Sequence, residues 1–342
     1  MRFFRNIQSG LIGAIMCIAP AVTGLSSCGM VYDDLEPCPE GLNLRFVYDY
    51  NMEFANAFPS QVHCLTVFVY DENGKYVQTR TETSRQALSD ENYRMTIDLP
   101  EGKYQVVAYG GMQCDDSSFH FMHQPTEGSD ITDLSVALNQ DIMDSPTGTD
   151  LHSLFYGRLD VEVKKETMAY DQYTVKMIKD TNNLRIVLQD LNGDSVNDKD
   201  FNFEVIDNNT LMDWKNDVVP TSPFIYNAWA QGQVSPGLYP DGTEVKSAFA
   251  EFSFGRLVIP DNAPVLRVTR VSDGSDVINI PLINYLLMFK SEKFKNMQPQ
   301  EYLDRENRWD MIFFLDRHWK WIYVQIVVND WVVRINNPEL GI

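Results

Sequence analysis

The chain has 342 residues and a formal net charge of −20 at pH 7, from 28 basic and 48 acidic side chains. An excess of acid on that scale repels phosphate backbones and anionic head groups, so nucleic-acid binding is excluded. Apolar residues at 44% and aromatics at 12% are enough for real cores, and the length predicts about two domains.

The first element is a leader. MRFFRN carries Arg2 and Arg5, and Leu11 to Val22 is almost wholly apolar. This is the charged head and greasy middle of an export signal. The apolar run falls short of the about 20 residues a membrane span needs, and Pro20 interrupts it. Leu25-Ser26-Ser27-Cys28 then looks like a bacterial lipobox, with leucine at −3, small residues next, and cysteine at +1. Residues 1–27 are predicted to be a lipoprotein signal peptide cut between Ser27 and Cys28, with Cys28 carrying the lipid. An ordinary signal peptide cut near Ser27, leaving Cys28 as a free thiol, is the alternative.

Lipidation at Cys28 would place a diacylglyceryl group on Sγ and a further acyl chain, such as palmitate, on the amine. At about 0.8 kcal/mol per buried methylene, more than one chain anchors durably without a transmembrane helix. Residues 28–40 read as a tether. Its Asp33, Asp34 and Glu36 resemble the acidic stretch by which some Gram-negative anaerobes route lipoproteins to the outer face, and a plain solvated linker explains the same letters.

Of five cysteines, Cys17 leaves with the leader and Cys28 takes lipid, so Cys38, Cys64 and Cys114 remain. Three cannot all pair within one chain, and without a C-x-x-C spacing they do not make a zinc site. Buried free thiols are expected, with a Cys64–Cys114 bridge as the alternative in an oxidising compartment.

After residue 40 the dominant signal is period-two alternation, the mark of strands with one buried face. Leu42, Leu44, Phe46, Tyr48 and Tyr50 share one side of the first strand. VHCLTVFVYDENGKYVQTR reads as two strands joined by a two-residue turn at Asn73-Gly74. YRMTIDLPEGKYQVVAYGG repeats the scheme about Pro100-Glu101-Gly102, and ITDLSVAL and LFYGRLDVEV add shorter strands. Such spacing predicts a β-sandwich over 41–165.

A weaker patch, KKETMAYDQ, leads into a second β-series over 166–342. TVKMIKDTNNLRIVLQDL and FNFEVID begin it, 207–250 reads as long loops, and FGRLVI, PVLRVTR and SDGSDVINIPL resume the alternation. Leu282 to Arg308 has a helical period, and HWKWIYVQIVVNDWVVRIN closes the chain with both faces apolar. A strand of that kind is buried on both sides or protected by a partner, because exposed it would aggregate.

LNLRFVYDYNM behind Cys38, FPSQVHCLTVFVYDENGKYV, LPEGKYQVVAYGG, FNFEVIDNNTLMDW, QEYLDREN and the terminal WIYVQIVVNDWVVRIN, taken together, resemble the fimbrillin-type anchor subunits, the FimB-like family of Gram-negative oral and gut anaerobes. The resemblance spans nearly the whole mature chain. It implies an all-β lipoprotein of two tandem transthyretin-like Greek-key β-sandwich domains, with a short helical insertion in the second. It further implies a surface-exposed protein of the outer membrane that anchors or caps a pilus, with fimbrial stalk subunits as partners. Related stalk subunits polymerise when a strand from one completes the sheet of another, a form of β-augmentation. Trp321, Tyr323, Val327, Trp331 and Val333 of the terminal segment would be the strand-exchange residues, and a core strand of the second sandwich is the alternative. Stalk subunits of this type lose a propeptide to a protease. Here Arg45 lies inside the first strand with no exposed basic site before it, so the strand should be retained.

Three constellations could carry chemistry. DLNGDSVNDKD sets Asp190, Asn192 and Asp194 at positions 1, 3 and 5 of a calcium loop, but Ser195 and Phe201 stand where Gly and a bidentate acid belong. Polar turn residues between strands explain the same letters. QPQEYLDREN offers Glu301, Asp304 and Glu306 as glycosidase carboxylates, or a helix start with a Glu301–Arg305 pair. His120 and His123 could seat a metal only on a helix, and no third ligand is evident. Trp214, Trp229, Trp309, Trp319, Trp321 and Trp331 could stack on sugars, though most sit in apolar alternation. The expectation is a non-enzymatic fimbrial lipoprotein without metal or cofactor. A surface glycan-binding lipoprotein is the alternative, and its glycan or host ligand is unspecified.

Overall fold

The computed structural model describes residues 40–112, 117–140, 149–164, 169–238, 241–242, 244–259, 264–288, 290–328 and 331–337. The alternating segments become strands. In the first half these are β1 (Gly41–Val47), β2 (Leu65–Asp71), β3 (Tyr76–Glu82), β4 (Met95–Asp98), β5 (Gly102–Gly110), β6 (Phe119–Phe121), β7 (Val136–Leu138), β8 (Phe155–Val163) and β9 (Asp171–Lys179). Two single-turn helices, α1 (Phe58–Gln61) and α2 (Arg85–Leu88), sit between them.

A seven-stranded sheet runs β3-β2-β5-β8-β9-β1-β4. Strand β9 is its corner, lying parallel to β1 over Asp171–Lys176 and pairing with β8 only over Met177–Lys179. A strand that changes partners in this way folds a sheet over into two layers. Between the layers lie Leu44, Val67, Val69, Val106, Val161 and Val175, all buried. Gly157 stands where β8 meets β9. A Cβ there would come within 2.7 Å of Val175 Cγ1 and 2.8 Å of the Lys176 carbonyl oxygen, so the approach requires glycine.

The second half holds β10 (Asn182–Asp190), β11 (Phe201–Asp207), β12 (Leu211–Met212), β13 (Phe224–Asn227), β14 (Ala230–Leu238), β15 (Glu244–Phe254), β16 (Val265–Arg270), β17 (Asp276–Pro281), β18 (Arg308–Leu315), β19 (Trp321–Val328) and β20 (Trp331–Asn336). Helices α3 (Leu282–Leu287) and α4 (Pro299–Arg305) lie between β17 and β18. A six-stranded sheet, β14-β15-β10-β18-β19-β20, accompanies a four-stranded one, β13-β11-β16-β17. Ile186, Leu188, Phe203, Val205, Phe252, Leu266, Trp309 and Phe313 belong to one larger core.

That larger core also reaches into the first half. On β2, Leu65, Val67 and Val69 face the smaller core, while Phe68 and Tyr70 on the opposite face join the larger one. A three-stranded sheet, β12-β7-β6, ties the halves together through Leu211 opposite Ala137. Phe68–Phe121 and Tyr109–Tyr156 meet edge-to-face at 4.9 and 5.5 Å, and the Tyr156 hydroxyl donates to the Trp214 carbonyl at 2.9 Å. Aromatic pairs of this geometry add about 0.5–1.5 kcal/mol each beyond their buried area. A junction so apolar holds its two sides together. The boundary read from sequence was 165/166, and sheet membership changes between Lys179 and Asn182.

Several local expectations are corrected. The β2–β3 turn is longer than two residues: the Asp71 N–H donates to the Lys75 carbonyl across Glu72, Asn73 and Gly74, Asp71 Oδ1 accepts the N–H groups of Asn73 and Lys75, and Gly74 takes φ +78°. The stretch 207–250 is not long loops. It contains β13, β14 and most of β15, whose inward Ala248 and Ala250 hide the strand signal behind small residues. FGRLVI ends its strand at Phe254. Beyond it, the carbonyls of Gly255, Arg256 and Leu257 accept from the side-chain amides of Asn182, Asn209 and Gln300. The helical stretch 282–308 is two short helices, and β18, parallel to β10, was missed altogether.

Candidate functional site

The closing segment forms the β19–β20 hairpin. β19 is paired on both sides, Phe313 lying opposite Val324 and Tyr323 opposite Asn336, while β20 pairs with β19 alone and is an edge of the six-stranded sheet. Among the described residues the outer side of β20 carries no strand. A row of backbone groups left open in this way is a template for another chain.

The five strand-exchange residues divide. Trp321 faces inward, 5% exposed, edge-to-face with Phe313 at 5.8 Å and with Tyr285 at 6.1 Å. Tyr323 lies on the outer face, stacked on Phe314 at 4.4 Å and covered by the Arg334 guanidinium at 3.6 Å. The side chains of Val327, Trp331 and Val333 are outside the described residues. Asn337, buried, locks the open end of the hairpin, its backbone N–H donating to the Ile322 carbonyl at 2.7 Å and its amide to the Trp321 carbonyl at 2.8 Å. β19 is therefore integral to the fold, and among the described residues β20 is one of the sheet-edge strands with a side left open.

Ser27 and Cys28 lie outside the described residues, as do Cys38 and Cys114. Cys64, 1% exposed, is disulfide-bonded, which corrects the expectation of a free thiol there. Among the described residues no helix is long and apolar enough to cross a membrane.

The remaining constellations have structural roles. Asp190 Oδ1 accepts the N–H groups of Asn192 at 2.6 Å and Asp194 at 3.3 Å, a side-chain-closed turn between β10 and β11. His120 lies on strand β6, so the helical spacing that two imidazoles would need with His123 is not present. Among the described residues no group of three or more His, Cys, Asp or Glu is arranged to hold a metal. On α4, Glu301 and Arg305 form the expected pair at 2.8 Å, and Arg305 also lies 3.9 Å over the Tyr50 ring.

Asp304 points the other way, into a buried cluster that the sequence did not announce. Its two oxygens accept from Arg256 Nε at 2.9 Å and Nη2 at 3.0 Å. Arg256 also donates to the Asn216 carbonyl at 2.6 Å, and the Asn216 amide donates to Asp180 Oδ1 at 2.8 Å. Asp180, in the turn between β9 and β10, is fully buried, 3.9 Å from Arg256 Nε. Burial raises its carboxyl to about 7, against the opposing pull of Arg256. Burial first, and then the like charge of the nearby Asp304, favour the protonated form of Asp180. Asp180 and Asp304 are both buried, and the cluster ties the β9–β10 turn to α4 through Arg256.

No curated protein sequence matches the chain. A structure from Bacteroides thetaiotaomicron described as a candidate adhesin is 50% identical, covers 89% of this chain and 100% of its own, and superposes with a TM-score of 0.82. A second from the same organism, described as a candidate polysaccharide-binding protein, is 32% identical, covers 87% and 98%, and has a TM-score of 0.74. The fimbrial anchor protein Mfa2 from Porphyromonas gingivalis, 17% identical with 86% and 99% covered, shares the fold at a TM-score of 0.64. The model of the fimbrillin-A associated anchor proteins Mfa1 and Mfa2 matches residues 35–337, and the chain belongs to that family.

Proposed function

We propose that this protein is a lipid-anchored outer-membrane subunit that fixes or caps a fimbria and joins the stalk by strand addition at β20. The observation that carries the reading is the free outer side of β20 in a member of an anchor family. Backbone hydrogen bonds to an added strand would supply affinity, and side chains on alternate positions would supply selectivity. The lipobox-like Leu25-Ser26-Ser27-Cys28 supplies the anchor, and the disulfide at Cys64 suits an exported protein. We read the two halves, β1–β9 and β10–β20, as transthyretin-like Greek-key sandwiches. No catalytic role enters this reading.

Replacing Cys28 by alanine tests the anchor. Fractionation of cells carrying the variant should find the protein, and the fimbriae attached to it, in the medium. Retention of both at the surface would overturn the proposal.

A second reading, surface glycan binding, draws support from the similarity to the candidate polysaccharide-binding protein. Affinity electrophoresis in polysaccharide-containing gels tests it, because a binder is retarded and a pure anchor is not.

A further inference from the structure

Among the described residues, the four-stranded sheet of the second half stops at β17 and the six-stranded one stops at β20. A cavity of about 650 Å³ lies between β17, helix α3 and the open end of the β19–β20 hairpin. From β17 it is lined both by buried Val277 and Ile280 and by exposed Asn279 and Pro281. Side chains of a strand's two faces point apart, so a cavity lined by both runs along the strand's edge. The hairpin contributes Trp321 and Asn337, the residue that directly follows β20.

Its floor and rim differ. Val277, Ile280, Tyr285 and Trp321 are buried and make an apolar floor, while Asn279 and Asn284 at the rim are exposed and Met288 beside them is 55% exposed. An apolar pocket inside a polar rim is the anatomy of a site that takes large side chains from a partner. A water's share of volume is about 30 Å³, so the cavity has room for two large side chains of one strand face, which stand about 7 Å apart. Ile335 of β20 packs on the larger core yet is only half-buried, as expected of an inward residue with no strand outside it.

The backbone decides which edge brings those side chains in. On β17, Val268 lies opposite Ile278 and Thr269 opposite Asp276, so Val277 is an unopposed bulge, and Pro281 has no N–H to offer. Bulges and proline close an edge to further pairing. β20 contains no proline and keeps an unbroken register with β19. An extended chain paired along β20 reaches Asn337 and runs on beside the cavity, with alternate side chains turned toward it. We propose that the cavity receives one or two large apolar side chains, on alternate positions of the strand that a fimbrial stalk subunit adds at β20. The inference rests on strand addition at β20 and deepens it by stating what that strand carries and where its side chains lodge.

The test uses mature protein and the stalk subunit purified from fimbriae sheared off the same cells, with affinity and hydrogen–deuterium exchange as readouts. In the parent, binding should slow exchange across 331–336 and also across 276–288. Asn284→Trp, which plugs the cavity from α3, and Met288→Glu, which sets a charge at its rim, should each weaken binding about tenfold or more at unchanged melting temperature. Asn284→Gln should bind as the parent does. Full affinity in both disruptive variants, with 331–336 still protected, overturns the cavity proposal and leaves strand addition standing. Absent binding, or binding without protection of 331–336, removes strand addition and the cavity proposal with it. Two other occupants are read from the protein alone, and either overturns the proposal. A dimer that Asn284→Trp abolishes would assign the cavity to a second copy. Protection of 276–288 that disappears on removal of residues 338–342 would assign it to this chain's own tail.

Discussion

The first and last strands of the described fold are treated in opposite ways. β1 is bounded on both sides, antiparallel to β4 and parallel to β9, and its Leu42, Leu44 and Phe46 are buried in the smaller core. Among the described residues β20 is bounded on one side only, and Arg334 on its outer face is exposed. The letters differ as well, since Leu42, Leu44 and Phe46 alternate along one face of β1 while Trp331, Val332 and Val333 of β20 run consecutively. A strand closed on both sides belongs to the fold and cannot be lent without opening a core. A strand at an edge can extend its sheet while remaining in place. The proposed assembly uses this asymmetry, with the first strand kept and the edge at β20 extended by a neighbour.

The largest test of the contrast is Leu44→Ala. With Leu44 fully buried in β1, the cavity should cost about 2–5 kcal/mol in chemical denaturation. Ile335→Ala, at a half-buried site on β20, should cost clearly less. Equal losses would erase the distinction between closed and open strands.

The seam between the halves gives the next effect. An aspartate ionises near 3.8 in the unfolded chain, and Asp180 ionises near 7 when folded. Its contribution to stability is therefore full below about pH 4, falls as pH rises toward 7, and stays constant above that. Asp180→Asn keeps the bond from Asn216 and removes the ionisation. Its advantage over the parent should grow from pH 4 to pH 7, reaching on the order of a few kcal/mol at most. The charged groups facing it are Arg256 and Asp304. An advantage independent of pH would refute the assignment.

Arg334→Gln is the smallest. It removes an exposed cation–ring contact on β20, which stabilises by about 0.5–1 kcal/mol. Thermal melting should move little, and a large loss would mean that β20 is bound into the fold as tightly as β1.

Much of the first half was legible in the sequence because its strands alternate strongly, as in β5 and β8, with hairpins joining neighbours. What periodicity could not show was pairing between strands distant in sequence. The parallel matches of β1 with β9 and of β10 with β18 depend on register across more than 100 residues, which local alternation does not encode. β15 was hidden by Ala248 and Ala250, whose small side chains give a weak apolar signal although they are fully buried. The acidic helix start was read correctly for Glu301–Arg305. The same motif gave no sign that Asp304 turns inward to Arg256, a residue 48 positions earlier.

The account turns on which edge receives a neighbouring subunit, and hydrogen–deuterium exchange reads that directly. Mature protein mixed with its fimbrial stalk subunit should show slowed exchange across 331–336 and unchanged exchange across 41–47. Slowed exchange elsewhere with 331–336 unaffected, or loss of protection in 41–47 on binding, would contradict assembly through β20.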